Sequence, residues 1–128
     1  MDIARSPGRF DEVRLAILRQ HAQIAELLDE LEAAADAVLT KGSDGGALQH
    51  ALDALHVRFI KHLEYEEFHL GSVADLGEHV EQRRRMRGLV HDRDVFGDRR
   101  GLAREARAFV HVLRKELAEE TARLRELG

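Results

Sequence analysis

The placement of glycine constrains this chain more than any other feature. Breaks fall at KGSDGG (41–46), around Gly71 and Ser72 with a softer one at Gly77, and at GDRRG (97–101). Between them lie four long segments rich in Ala, Leu, Glu and Arg, residues that favour helix over strand. The only proline is Pro7. The spacing predicts helix A from about Phe10 to Thr40, B from Ala47 to Leu70, C from Val73 to Phe96 and D from Leu102 to Leu127. Each repeats apolar residues three and four apart, as Ile17, Ile24, Leu28 and Leu31 do in A and Leu48, Leu52, Leu55 and Phe59 in B. Short connections make consecutive helices antiparallel neighbours. The expected architecture is all-α, an up-down-up-down antiparallel four-helix bundle occupying residues 1–128 as one domain, with 44% hydrophobic residues to fill one modest core.

A loose internal repeat agrees with this plan. It sets His62 over Glu116 and Glu66 over Glu120 between helices B and D, and His21 over His79, Leu28 over Met86 and Leu31 over Leu89 between A and C.

The informative residues are polar ones standing where apolar ones belong. Each helical residue advances about 100° around the axis, so facing follows from numbering. His62 and Glu66, four apart, fall within the stripe of Leu55 and Phe59. His21 lies close to the line of Ile17, Ile24 and Leu28, Glu120 on that of Leu113, Leu117 and Leu124, and His79 on the side of Met86 and Val90. Height along the bundle is an independent test, because residues equally far from a tight turn share a level. Folding B onto C, C onto D and A onto B about the three breaks brings His62, Glu66, His79, Glu116, Glu120 and His21 to one layer. Alone, each has an ordinary reading, a satisfied core histidine or an edge ion pair. Together, three histidines and three glutamates at one level, without inward lysines to match, are best satisfied by a cation, because an unpaired buried charge costs several kcal/mol or more. Arg83, one turn beyond His79, offers another way to neutralise a carboxylate.

There is no cysteine, so thiolate metal sites, iron-sulfur clusters and cysteine nucleophiles are excluded, and any metal is held by nitrogen and oxygen. The other histidines are weaker candidates. His50, His56 and His69 read as surface or stripe-edge residues, His91 is a reserve candidate nearer the C–D turn, and His111 points about 160° from the stripe of helix D.

With these residues the chain resembles the hemerythrin-like (HHE cation-binding) family over nearly its whole length. That family holds two non-heme irons in a four-helix bundle, with a histidine from the first helix, HxxxE from the second, a histidine from the third and a histidine-carboxylate pair from the fourth. The matching positions are His21, then His62 and Glu66 in HLEYEE, then His79 in EHVEQR. Two departures stand out. Arg83 occupies the position where the oxygen-carrying members have a second third-helix histidine, and the fourth helix offers Glu116 and Glu120 where a histidine is expected before the carboxylate. His111 has the spacing of that histidine and the wrong facing. The favoured ligand set is His21, His62, Glu66, His79, Glu116 and Glu120.

The resemblance implies two iron ions per chain, with manganese or zinc as substitutes, and a ligand such as dioxygen, peroxide or nitric oxide, bound or sensed. A small oxidase or catalase-like enzyme and a metal-free interaction module are the alternatives. Replacing histidines by carboxylates and adding Arg83 is expected to lower the iron potential and favour oxidation over reversible carriage. The net charge of -4 argues against nucleic acid as a partner, although Arg83, Arg84, Arg85 and Arg87 cluster locally. No uncharged run approaches the ~20 residues of a membrane span, and the N-terminus lacks a signal-peptide core, so a cytoplasmic protein is expected. Oligomeric state is unread; the long helix A leaves a homodimer open.

Overall fold

The structure, a computed structural model, describes residues 7–71, 74–91 and 98–127. These residues form four α-helices: α1 (Pro7–Lys41), α2 (Gly46–Leu70), α3 (Leu76–His91) and α4 (Arg99–Leu127), with no strand among the described residues. The packing is that of a bundle. Helix α1 lies against both α2 and α4, and α3 lies against α2 and, more sparsely, against α4. No helix is long and apolar enough to cross a membrane among the described residues.

Local chemistry fixes the helix ends. Gly42, at φ +67°, turns the chain out of α1 in the left-handed conformation that residues with a Cβ avoid, and the Ser43 N–H closes the end by donating to the Ala37 carbonyl at 3.2 Å. Asp75 Oδ1 accepts from the Glu78 N–H at 2.9 Å, and Asp98 Oδ1 from the Gly101 N–H at 2.8 Å. Each aspartate thereby satisfies a donor that the first helical turn leaves free. These caps explain two departures from the expected boundaries. Gly77 and Gly101, expected as breaks, lie inside the first turns of α3 and α4, so α4 starts three residues earlier than the glycine suggests. The expected helix C includes Ala74 and Asp75, but α3 begins only at Leu76, after the cap at Asp75; residues 73 and 92–96 of the expected helix fall outside the described residues.

The apolar core is in two parts. The larger joins all four helices through residues including Ile24, Leu28, Leu55, Phe59, Leu63, Met86, Leu89, Val110, Leu113 and Leu117. The smaller consists of Val13, Ile17, Leu70 and Leu124, with Phe10, Leu18, Tyr65 and Ala74 against it. The break between them falls at His21 in α1, at His62 and Glu66 in α2 and at Glu120 in α4. A polar layer divides the hydrophobic interior.

Candidate metal centre

Helical periodicity delivers the polar side chains to the interior. His21 lies between Ile17 and Ile24 on the buried face of α1, and Glu120 between Leu117 and Leu124 on that of α4. His62 and Glu66, one turn apart on α2, are each 2% exposed, and His79 of α3 is 1% exposed. Groups this polar are almost never buried so completely without partners.

Four of the six expected ligands converge on one point. His21, His62, Glu66 and Glu120 each offer a donor atom, and these atoms all lie within 4.8 Å of one another. His21 Nε2 is 2.6 Å from Glu120 Oε1, and His62 Nε2 is 3.7 Å from the same oxygen and in direct contact with Glu66 Oε1. The His21 and His62 rings meet edge to face at 5.0 Å. In a tetrahedral shell with bonds of about 2.1 Å, ligand atoms sit about 3.4 Å apart. The group therefore needs only a small adjustment to close on an ion.

The fifth, His79, stands beside this group. Its Nε2 is 3.9 Å from Glu66 Oε2 and, though fully buried, has no hydrogen-bond partner. Glu66 Oε1, despite touching His62, also lacks a partner of hydrogen-bond geometry. Such an orphan costs about 1–3 kcal/mol wherever nothing else satisfies it. The unpartnered Nε2 of His79 faces Glu66, where a cation would give its lone pair a partner.

The sixth, Glu116, is not in the group. It is half-buried, accepts from Gln82 Nε2 at 2.8 Å and lies 3.7 Å from Arg85 Nη1. Gln82 is itself buried and also reaches Glu78 at 3.3 Å. Of the weaker histidines, His69 packs on Tyr65 and Phe68, and His111 is exposed on a groove rim with Glu32, Arg104 and Arg107. His91 faces His56.

The outer nitrogen of each core histidine is engaged. His62 Nδ1–H donates to Gln20 Oε1 at 2.7 Å, His79 Nδ1–H donates to Glu67 Oε2 at 2.9 Å, and His21 Nδ1 pairs with Thr121 Oγ1 at 2.8 Å. A bond of this kind fixes ring orientation and turns Nε2 toward the layer, the arrangement that metal-binding histidines adopt. Sequence reasoning missed Gln20, Thr121 and Gln82. Their signal was adjacency: Gln20 and Thr121 neighbour His21 and Glu120 in the chain, and Gln82 is three residues beyond His79 on the same helical face. Arg83 does not neutralise a carboxylate of the layer. It donates to Glu67 from Nη1 at 2.6 Å and from Nη2 at 2.8 Å.

Charge in the layer follows from these contacts. Burial disfavours the charged form of His62, but the carboxylates of Glu120 and Glu66 outweigh it and raise its pKa to about 9. Burial alone would raise Glu120, yet the hydrogen bonds of His21 and His62 hold it well below the usual carboxylate range. Glu66 goes the other way, raised chiefly by burial against the pull of His62. Glu67 is lowered to about 2, first by Arg83 and, after an opposing effect of burial, by His79. No Lys or Arg pairs with Glu66 or Glu120 among the described residues. Two carboxylates thus share the charge of His62, and the layer has room for more positive charge.

The buried His/Glu group can hold a metal ion, and its nitrogen and oxygen donors suit iron, manganese or zinc. No family model matches the chain, and no curated protein and no solved structure matches it.

Proposed function

We propose that this chain is a hemerythrin-like bundle that holds two non-heme irons and binds or senses dioxygen or a related small oxidant. The observation that carries this reading is the position of Glu66. One of its oxygens touches His62 Nε2 within the His21–Glu120 group, and the other faces the unpartnered Nε2 of His79. Glu66, with His62 at one oxygen and His79 near the other, would be available to a metal held on either side. His21, His62 and Glu120 would serve one position and His79 the other, with Glu66 common to both.

The order of the helices is proposed to be up-down-up-down. Cross-helix contacts support it, since residues near 21, 32 and 36 of α1 meet residues near 120, 114 and 107 of α4, and Gln20 meets His62 while Glu67 meets His79 and Arg83. Rising numbers on α1 thus meet falling numbers on α4, and between α2 and α3 His56 meets His91 where Glu67 meets His79.

When bound, iron would supply redox chemistry toward oxygen or peroxide at an open coordination position. The protein's own part is to present neutral imidazoles and ionised carboxylates in fixed orientation. Gln20, Thr121 and the Glu67–Arg83 pair hold the rings, while Phe59 and Leu63 on one side and Leu70 and Leu124 on the other screen the layer from water. Ligation by anionic carboxylates favours the higher oxidation state, so oxidation is proposed over reversible carriage, in a cytoplasmic setting.

The test is metal content and ultraviolet-visible absorption of protein expressed with iron, beside His62→Ala and Glu66→Ala. About two irons per chain, lost in both variants, supports the reading. One iron per chain would reduce it to a mononuclear site. Protein that is metal-free and whose melting temperature ignores chelators would favour a metal-free interaction module, because a ligand bound only by the folded state must raise that temperature.

A further inference from the structure

A second pair of histidines lies outside the polar layer. His56 is six residues before His62 on α2, about 9 Å along the helix at 1.5 Å per residue. Its ring meets that of His91, the last residue of α3, edge to face with centroids 5.7 Å apart. His56 is half-buried and His91 exposed. Asp53, one turn before His56 on α2 and exposed, acts on the His56 imidazole electrostatically, as does Arg87, one turn before His91 on α3.

We propose that His56 and His91 form a surface site for a divalent transition-metal ion of the nitrogen-preferring kind, such as zinc, nickel or copper(II). With metal–nitrogen bonds of about 2.1 Å, two imidazoles at neighbouring positions on one ion place their ring centres about 4.5 to 5.3 Å apart. The observed separation exceeds that range by a few tenths of an ångström, a gap that rotation of the two side chains can close. Two nitrogens leave the remaining positions to water, and the affinity order among first-row ions places copper, nickel and zinc above iron and manganese here. Burial, His91 and Arg87 hold His56 below the ordinary histidine value against the pull of Asp53, so its lone pair is available at neutral pH. Arg87 is exposed on a flexible stem and can turn to solvent as the ion enters. An ion bound here joins α2 to α3 close to the connection into α4.

The site is independent of the core centre, and the test separates them. Zinc is titrated into the intact protein, wild type and the variants His56→Gln, His91→Gln and Glu66→Gln, with binding read by calorimetry and the imidazole resonances by ¹H–¹⁵N spectra. The expected result is a binding event that moves the His56 and His91 resonances, disappears in His56→Gln and in His91→Gln, and survives in Glu66→Gln. Zinc isotherms unchanged by both His56→Gln and His91→Gln, or His56 and His91 resonances unmoved in wild type, would overturn the proposal. The core centre is judged by the separate event that Glu66→Gln removes.

Discussion

Arg83 grips Glu67 through two near-parallel hydrogen bonds, and the gripped carboxylate accepts from the Nδ1–H of His79. Bidentate guanidinium–carboxylate pairs are geometrically specific, so this pair orients His79 rather than merely neutralising charge nearby. Removing it leaves His79 free to rotate or change tautomer. Arg83→Ala and Glu67→Gln are each expected to weaken metal binding by about 10- to 100-fold, the usual cost of losing a ligand's outer partner. Competition with a chromophoric chelator measures this. Equal affinity in Arg83→Ala and wild type would reduce the pair to a surface ion pair.

Much of this layer was legible in the sequence because its logic is periodic. His21, His62, Glu66, His79 and Glu120 stand in apolar stripes, and counting residues from the glycine breaks brought them to one level. Arg83 was harder. Its side chain is long enough to reach several carboxylates, and facing alone does not say whether it turns to the layer or to Glu67. Glu116 fails for a related reason. Repeat and level both favoured it, but Gln82, an uncharged buried residue that periodicity does not flag as a ligand, intercepts its carboxylate. The early start of α4 was missed because Gly101 outweighed the cap at Asp98.

Glu116 and Glu120 consequently differ in expected effect. Glu120 contacts both His21 and His62, whereas Glu116 is turned to Gln82 and Arg85. Glu120→Gln is expected to weaken metal binding by tenfold or more, by analogy with the loss of ligand-shell groups, and Glu116→Gln much less. Metal per chain after dialysis against a weak chelator distinguishes them. A reversed order would move the ligand set one turn toward the main core.

Metal binding should also release protons. In the metal-free protein His62 is held protonated up to about pH 9, and a metal ligand must be neutral. Below that pH one proton leaves His62 on binding, so affinity is expected to rise about tenfold per pH unit across neutral pH. Calorimetry in buffers of different ionisation enthalpy counts the proton. The metal-free protein behaves oppositely. The pKa of His62 is raised on folding, so its contribution to stability is fully present below about pH 6.5, the unfolded value, and is lost as pH rises through about 9. Glu120 is lowered, so its contribution is present above the unfolded carboxylate value and is lost only as pH falls through the folded one. Chelator-treated protein is therefore expected to lose stability from pH 7 to 9.5, a trend that bound metal removes. A flat profile for the metal-free form would contradict the paired state of His62.

The polar layer is expected to cost the metal-free fold stability. Replacing a buried ion pair by apolar residues of similar volume is often neutral or stabilising by about 1–4 kcal/mol, whereas removing one partner alone costs about 3–5 kcal/mol because the other charge is left buried. His62 and Glu66 are both almost fully buried and touch one another, with Leu63 and Phe59 beside them to receive apolar replacements. The double change His62→Leu with Glu66→Leu is expected to leave the chelator-treated protein as stable as wild type or more so, while abolishing the metal-dependent rise in melting temperature. His62→Leu alone strands Glu66, while Glu120 keeps His21, and is expected to destabilise the metal-free protein by about 3 kcal/mol or more. Denaturant unfolding with chelator present tests both. A double variant less stable than His62→Leu would mean that these residues stabilise the bundle by themselves, and that the layer is structural rather than kept for a metal.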